Sequence, residues 1–304
     1  MPAFTADPEK KRDPREIPLN TDYIQKKWLD IPYISGAHHE RQVLDIYHPN
    51  GETGPFPVAF CIYGGGFRSG DKTYGEFKAV VKALDYGYAV VSMNYRYSQQ
   101  APHPAQIHDV KAAIRFVKAH AAEYGLLPDK IALWGGSAGA CLASLAGTTG
   151  GRELLTDRSM GNPEQTEEVA AVVDWYGGID FSKTDEQFAK PGVFPRRASF
   201  AADPHVLHRQ LFGCTNEELP EKFREFCASN YITADCPPFL IQHGTRDDLV
   251  PLEQATDFAA ALKAVIGPEK VELDILEGAE HGGDAFGSEE NLKRVFRFLD
   301  QYLK

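Results

Sequence analysis

The sequence lacks long apolar runs, an excess of positive charge and closely spaced cysteines. None of its 304 residues lies in a stretch that approaches the roughly 20 apolar residues of a membrane-spanning helix. The formal net charge of -11 argues against nucleic acid or an anionic membrane surface as a partner, because both bind basic faces. The five cysteines are widely spaced and include no C-x-x-C pair, which is more typical of small buried side chains than of disulfide or metal partners.

Targeting and cofactor signals are also missing. The segment from Met1 to Asn20 is polar and punctuated by proline, without the apolar core of a secretory signal peptide. The missing signal peptide and the cysteine usage together predict a location in the reducing cytoplasm. The sequence does not define the oligomeric state. Neither a G-x-G-x-x-G nor a Walker pattern is present, and His103 and His108 show no metal-ligand spacing, so we expect neither an organic cofactor nor a metal.

Apolar runs that are typical of strands alternate with helical patterns along most of the chain. The first of these runs mixes apolar and polar residues and therefore predicts an edge strand, whereas most of the others are nearly continuous. Such an alternation predicts an α/β fold, with a mostly parallel central sheet covered by helices on both faces. The predicted strands are 43–47, 57–63, 88–93, 130–134, 169–176, 238–243 and 271–276, and the predicted helices are 104–124, about 252–266 and about 289–302.

Two segments interrupt this alternation. Residues 1–30 are interpreted as an amino-terminal extension to a single domain at 31–304. Residues from about 181 to 232 are polar and aromatic, and we interpret them as a small cap over the carboxyl ends of the strands, where ligands of such sheets bind. The phenylalanines of this insertion would form either an acyl pocket or a small core of their own.

The stretch Gly135–Gly139 carries the strongest functional signal. It reads Gly-x-Ser-x-Gly, follows the predicted strand at 130–134 and precedes a segment rich in small helix-forming residues. A strand, a sharp turn flanked by glycine and a helix are the context of a nucleophile elbow. The turn strains the backbone and requires small neighbours, and the helix dipole favours negative charge beside the serine. Ser137 is therefore the candidate nucleophile.

A serine nucleophile requires a base and an acid, and the sequence offers both after the serine. His281 lies in a glycine-rich loop after the last predicted strand and is the candidate base. Asp247 is the candidate acid, in a turn that also follows a predicted buried strand. On physical grounds its neighbour Asp248 remains open as the acid, and Asp180, after the strand at 169–176, is an alternative.

An oxyanion hole requires backbone N–H groups that point at one oxygen. The three glycines that follow Tyr63 allow such an arrangement, because no side chains obstruct it. We expect the N–H groups of Gly65 and Gly66 to be joined by that of Ala138, which directly follows the serine.

Taken jointly, these motifs resemble the α/β-hydrolase superfamily over residues 40–304, and more narrowly its hormone-sensitive-lipase-like and carbohydrate-esterase branch, which includes feruloyl and short-chain acyl esterases. This resemblance implies the α/β-hydrolase fold, and its pattern His-Gly-x-x-Asp-x-x-Val places the acid at Asp247. The family usually carries histidine at the position of Tyr63, where the side chain supports the oxyanion loop. Because a tyrosine hydroxyl can also donate a hydrogen bond, we expect the loop to survive. The motifs are 63–70, 94–96, 135–139, 243–247 and 280–282.

The resulting expectation is a serine carboxylic-ester hydrolase. It would act through an acyl-enzyme on small acyl or aromatic-acid esters, including esters carried on a carbohydrate, with a small-molecule ester as its only expected partner. Two alternatives stay open at this point. One is an amidase or arylformamidase-type hydrolase, since such enzymes share the elbow. The other is a non-catalytic binding protein on a hydrolase scaffold, which the departure at Tyr63 leaves open.

Overall fold

The computed structural model describes residues 16–194, 209, 211–215 and 217–304, and a sheet lies at the centre of this part of the chain. Its eight strands are arranged in the order β1-β2-β4-β3-β5-β6-β7-β8. The six strands from β4 to β8 in this order are parallel to one another, and β2 is antiparallel to both of its neighbours, β1 and β4. The predicted mostly parallel sheet is therefore confirmed. The strands are β1 Lys27–Pro32, β2 Val43–Tyr47, β3 Phe56–Ile62, β4 Ala89–Met93, β5 Leu126–Gly136, β6 Ala171–Trp175, β7 Phe239–Gly244 and β8 Val271–Leu276.

Helices cover both faces of the sheet, as the sequence predicts. Strand β3 shows why: Val58 and Phe60 point into one apolar core and Ala59 into the other, because successive side chains of a strand alternate between faces. Helices α2, α3 and α6 pack on the first face, and α1 and α8 on the second. The helices are α1 Phe77–Val80, α2 Ala105–Ala119, α3 Ala138–Thr149, α4 Thr184–Phe188, α5 Pro220–Phe226, α6 Leu252–Ile266, α7 Asp284–Gly287 and α8 Glu289–Leu303.

The edge of the sheet differs from the expectation. The segment 43–47 was expected at the edge, but this was wrong: β1 pairs with it antiparallel and forms the edge instead. The polar residue that suggested an exposed strand, Asp45, is only 1% exposed, and its carboxylate lies 2.7 Å from the ammonium of Lys72. A buried ion pair formed with a distant loop therefore accounts for the polar position. Strand β1 also crosses the boundary drawn at residue 30.

The cap is described only in part, because residues 195–208, 210 and 216 lie outside the described residues and include Phe200. Within the described part, Phe226 of α5 stacks on Phe181 with ring centroids 5.6 Å apart. It also meets Phe67, from the glycine loop, edge to face at 5.6 Å. Phe212 and Phe223 are buried in the same apolar core. The aromatic residues thus join the cap to the loop after β3, while the limits of the cap stay a prediction.

Among the described helices, none combines the length and the apolar character needed to cross a lipid bilayer.

Candidate active site

Ser137 lies in a strained turn between β5 and α3. Its φ of 54° and ψ of -122° fall in a region that residues other than glycine rarely adopt. The flanking glycines are required by close packing. A Cβ on Gly139 would lie 1.9 Å from the carbonyl oxygen of Ile62, and a Cβ on Gly135 would lie 2.3 Å from the backbone of Gly139. The glycines therefore allow α3 to begin directly against β3, with its amino terminus behind the serine.

The structure brings Ser137, His281 and Asp247 together at the carboxyl edge of the sheet. Nε2 of His281 is 2.8 Å from Oγ of Ser137, and Nδ1 of His281 is 2.8 Å from Oδ2 of Asp247. A carboxylate only accepts hydrogen bonds, so it selects the imidazole tautomer that carries its proton on Nδ1. In that tautomer Nε2 can accept the proton of the serine hydroxyl.

Asp247 is held by donors on both carboxylate oxygens. Its Oδ1 accepts hydrogen bonds from the N–H groups of Leu249 at 2.9 Å and Val250 at 2.8 Å. Nε2 of the buried His243 lies 3.2 Å from its Oδ2, beside His281. Burial disfavours the charged form of Asp247, but His281 and His243 outweigh this and hold its pKa below the usual range. The carboxylate is therefore ionised at neutral pH.

The two other candidate acids occupy different places. Asp180 accepts a hydrogen bond from the N–H of Ser182 and so caps the turn Phe181–Lys183, at the start of the cap. Asp248 is the next residue after Asp247, but the hydrogen bond from Nδ1 of His281 is accepted by Asp247. The structure thus brings Asp247, rather than Asp248 or Asp180, to the imidazole.

The predicted oxyanion loop has its peptide planes fixed by hydrogen bonds. The hydroxyl of Tyr95 donates to the carbonyl oxygen of Gly64 at 3.0 Å. The N–H groups of Arg68 and Ser69 donate to the carbonyl oxygen of Gly65 at 3.2 and 3.1 Å. In a trans peptide the C=O and the following N–H point in opposite directions. Fixing these two carbonyls therefore fixes the N–H directions of the next two residues.

The N–H groups so aimed belong to Gly65 and Gly66, which have φ values of 91° and 61°. These positive values are readily adopted only by glycine. Ala138 is the first residue of α3, where backbone N–H groups have no partner within the helix. Among the described residues, no acceptor takes a hydrogen bond from the N–H of Gly65, Gly66 or Ala138. All three can therefore donate to a ligand.

Tyr63 stabilises the loop differently from the expected donation by its hydroxyl. Its ring stacks on that of Tyr95, with centroids 4.6 Å apart, and its hydroxyl accepts a hydrogen bond from Arg41. The same guanidinium group donates to the carbonyl oxygen of Gly70 and to Oδ1 of Asn94, each at 3.1 Å. The ring of Tyr63 also fills the space beside Gly70, where a Cβ would lie 2.3 Å away. Tyr63 therefore packs against Tyr95 at the start of the loop and against Gly70 at its end, and the hydrogen bonds to the carbonyl oxygens of Tyr63 and Gly64 come from the hydroxyl of Tyr95.

Sequence reasoning missed two residues that border the site, Glu76 and Tyr176. One carboxylate oxygen of Glu76 accepts a hydrogen bond from the N–H of Gly64 at 3.0 Å, and the other accepts from the hydroxyl of Tyr176 at 3.3 Å. Burial raises the pKa of Glu76, although these hydrogen bonds oppose the shift. The ring of Tyr176 contacts that of His281, with centroids 4.8 Å apart. Neither residue belongs to a motif that could have signalled it.

A cavity of about 1020 Å³ opens beside Ser137 and His281. Phe67, Phe181 and Val250 contribute apolar surface to its wall, and the glycine loop lies on the same cavity. This volume is at the upper end of the range for small-molecule sites, about 300–1,000 Å³. Within the described ranges, no group of three or more His, Cys, Asp or Glu side chains is arranged to hold a metal ion.

Comparisons with known proteins agree with this fold. The chain is 33% identical to the probable carboxylic ester hydrolase LipM of Mycobacterium tuberculosis over 85% of its length, and 32% identical to the esterase LipC of the same organism over 86%. It spans 57% and 64% of the lengths of these two relatives.

Solved structures with a similar fold also include esterases. A truncated carbohydrate esterase from gut microbiota superposes with a TM-score of 0.80 at 28% identity, covering 94% of this chain and 99% of the other. A bifunctional GH43-CE protein of Bacteroides eggerthii has a TM-score of 0.80 at 31% identity, covering 91% of this chain and 35% of the other. The family model described as BD-FAE matches residues 44–262. The chain belongs to the BD-FAE family and has the α/β-hydrolase fold.

Proposed function

We propose that this protein is a serine carboxylic-ester hydrolase in which Ser137, His281 and Asp247 act as the catalytic triad. The observation that carries the proposal is the hydrogen-bonded series from Oγ of Ser137 through both nitrogens of His281 to the carboxylate of Asp247. The names of the relatives and neighbours, which describe esterases and carboxylic ester hydrolases, support the same conclusion.

In the first step Oγ of Ser137 attacks the ester carbonyl carbon while its proton passes to Nε2 of His281. The ionised Asp247 holds the imidazole in position and stabilises the imidazolium that forms. The tetrahedral intermediate carries a negative charge on the former carbonyl oxygen. The N–H groups of Gly65, Gly66 and Ala138 donate to this oxygen, and each such donor contributes about 3–4 kcal/mol in comparable sites.

Collapse of the intermediate breaks the bond to the alcohol oxygen, which takes the proton from Nε2 of His281 and departs. Ser137 is then an acyl ester. Water gives a proton to His281 and attacks the acyl carbon, and a second collapse returns this proton to Oγ of Ser137 and releases the acid. Besides the ester and water, these steps use only the side chains and backbone groups named above.

The substrates that fit this proposal are small acyl or aromatic-acid esters, including esters carried on a carbohydrate. Two observations support this range. The cavity has an apolar wall that includes Phe67 and Phe181, which suits an acyl chain or an aromatic ring. Two similar structures are described as a carbohydrate esterase and a GH43-CE protein.

The five free cysteines suit a reducing compartment, and a cytoplasmic location stays a prediction.

Hydrolysis of p-nitrophenyl acetate, butyrate and octanoate and of methyl ferulate tests the proposal, with the Ser137→Ala variant as control. We expect turnover by the wild type that the variant loses, with the preferred substrate reporting the size of the acyl pocket. Equal turnover by Ser137→Ala would refute the assignment of the nucleophile. Turnover of matched anilides in preference to esters would instead identify an amidase.

A further inference from the structure

The carboxylate of Glu76 occupies a place directly beside the nucleophile elbow. An ideal Cβ on Gly136, the residue before Ser137, would lie 2.4 Å from Oε1 of Glu76 and 2.6 Å from its Cγ. The space that a side chain at 136 would take is therefore filled by a group that comes from the start of α1. Any side chain at 136 would displace this carboxylate, which explains why the position is glycine.

From this position the two carboxylate oxygens reach opposite sides of the site. Oε2 accepts the hydrogen bond from the N–H of Gly64, the residue that leads into the predicted oxyanion donors. Because Tyr95 holds the carbonyl of the same glycine, both polar groups of Gly64 are fixed. Oε1 accepts the hydrogen bond from the hydroxyl of Tyr176.

Tyr176 connects Glu76 to the imidazole of His281. Its ring packs edge to face on that of His281, at 63° and 4.8 Å between centroids. Its hydroxyl also lies against the backbone after the histidine, since a Cβ on Gly282 would be 3.4 Å from that oxygen. The tyrosine therefore restricts where the ring of His281 can lie.

We propose that Glu76 is a positioning residue that fixes the oxyanion loop through Gly64 and the ring of His281 through Tyr176. The inference rests on the proposed esterase function. Glu76 does not touch the reacting atoms in this account. It acts by holding two parts of the catalytic machinery at a fixed distance from Ser137, and such preorganisation influences the rate of the chemical step more than substrate binding.

The test compares kcat and KM for a p-nitrophenyl ester in four variants, each normalised to active sites titrated to completion with a fluorophosphonate. Glu76→Ala leaves the N–H of Gly64 without its acceptor, and we expect kcat to fall by about 10²-fold with KM within about threefold of wild type. Glu76→Gln keeps an oxygen for Gly64 and an amide for the hydroxyl of Tyr176, so kcat should stay within about threefold. Tyr176→Phe removes one of the two hydrogen bonds, and kcat should fall by about tenfold. Glu52→Ala, an exposed carboxylate outside the site, is the matched control and should change neither constant.

Normalisation to active sites separates positioning from stability. If Glu76 were merely structural, Glu76→Ala would lower the melting temperature and the titrated fraction but leave kcat per active site unchanged, and the inference would be overturned. A loss in Glu76→Gln as large as in Glu76→Ala would also overturn it, because hydrogen-bond rescue would have failed. If the wild type itself shows no turnover that depends on Ser137, the proposed function fails and the inference fails with it.

Discussion

Replacing Asp247 with asparagine is expected to abolish most of the turnover without unfolding the protein, because it reverses the hydrogen-bond polarity at one oxygen. The carboxylate faces donors on both sides: the N–H groups of Leu249 and Val250 at Oδ1, and the rings of His281 and His243 at Oδ2. An asparagine amide must present its NH₂ group to one of these pairs, so a donor faces donors in either orientation.

The energies decide which orientation the amide takes. Turning its NH₂ toward Leu249 and Val250 would leave two N–H groups without an acceptor, at about 1–3 kcal/mol each. Turning it toward His281 instead requires that this imidazole move its proton to Nε2, while Nε2 of His243 keeps its hydrogen bond to the carbonyl oxygen of Val250 at 2.9 Å, so this is the cheaper outcome. That tautomer cannot accept the proton of Ser137. An asparagine in the equivalent place of serine-protease triads lowers kcat by about 10⁴-fold, and we expect a similar loss here. This corresponds to about 5 kcal/mol of transition-state stabilisation.

The assay is the rate of p-nitrophenyl ester hydrolysis by Asp247→Asn, with circular dichroism to verify the fold. The matched control is Asp248→Asn, which makes the same chemical change at the neighbouring residue that the sequence left open as the acid. We expect the control to keep at least about a third of the wild-type kcat. The reasoning is refuted if Asp247→Asn retains more than about a tenth of the activity, or if Asp248→Asn loses as much as Asp247→Asn.

Three further predictions concern stability. Gly139→Ala forces a Cβ to within 1.9 Å of a carbonyl oxygen at the end of β3, so the free energy of unfolding measured in urea should fall by about 3 kcal/mol. Gly287→Ala is the control, because Gly287 has open space around it and the free energy of unfolding should change little. The fold holds the pKa of Asp247 below its unfolded value of about 3.9, so the ionised form stabilises the protein above that pH and this stabilisation is lost as the pH falls below it. The melting temperature of wild type should therefore fall more steeply below about pH 4 than that of Asp247→Asn, and parallel curves would contradict this. Arg115→Met removes the buried guanidinium that lies 2.7 Å from the buried carboxylate of Glu167 and leaves that carboxylate with the more distant Arg158, at 3.4 Å, so the free energy of unfolding should fall by about 3 kcal/mol. A loss below about 1 kcal/mol would show that the pair does not stabilise the fold.

Much of the sheet could be predicted from the sequence because its central strands are buried on both faces. Such strands read as near-continuous apolar runs, which is why β3 through β7 can be recognised, whereas β8, at the other edge of the sheet, shows an alternating pattern. Strand β1 gives no such signal, since most of its residues are partly or fully exposed and its pairing depends on the distant β2. The position of Asp45 was misjudged for a related reason. Its burial depends on Lys72, 27 residues further along the chain, and local patterns carry no information about that partner.

The candidate site divides in the same way. Ser137, Asp247 and His281 each lie in a short turn after a strand, where local motifs reveal them, and the parallel sheet brings these turns together. The residues around them were hidden because their contribution is purely tertiary. Glu76 belongs to no motif and lies beside Gly136 only through tertiary packing. Tyr63 could be recognised as a departure from the family pattern. Its hydrogen-bond partner Arg41 could not be predicted, because nothing in the sequence links the two residues.

The most direct test of the proposed mechanism is covalent labelling with a fluorophosphonate, followed by peptide mass spectrometry. The account predicts one adduct per chain, located on Ser137, and no adduct on Ser137→Ala under the same conditions. Labelling should also slow markedly in Asp247→Asn, since the serine then lacks its base. An adduct on another residue, or an unlabelled wild-type protein that still hydrolyses esters, would contradict the central claim that Ser137 is the nucleophile of the proposed esterase.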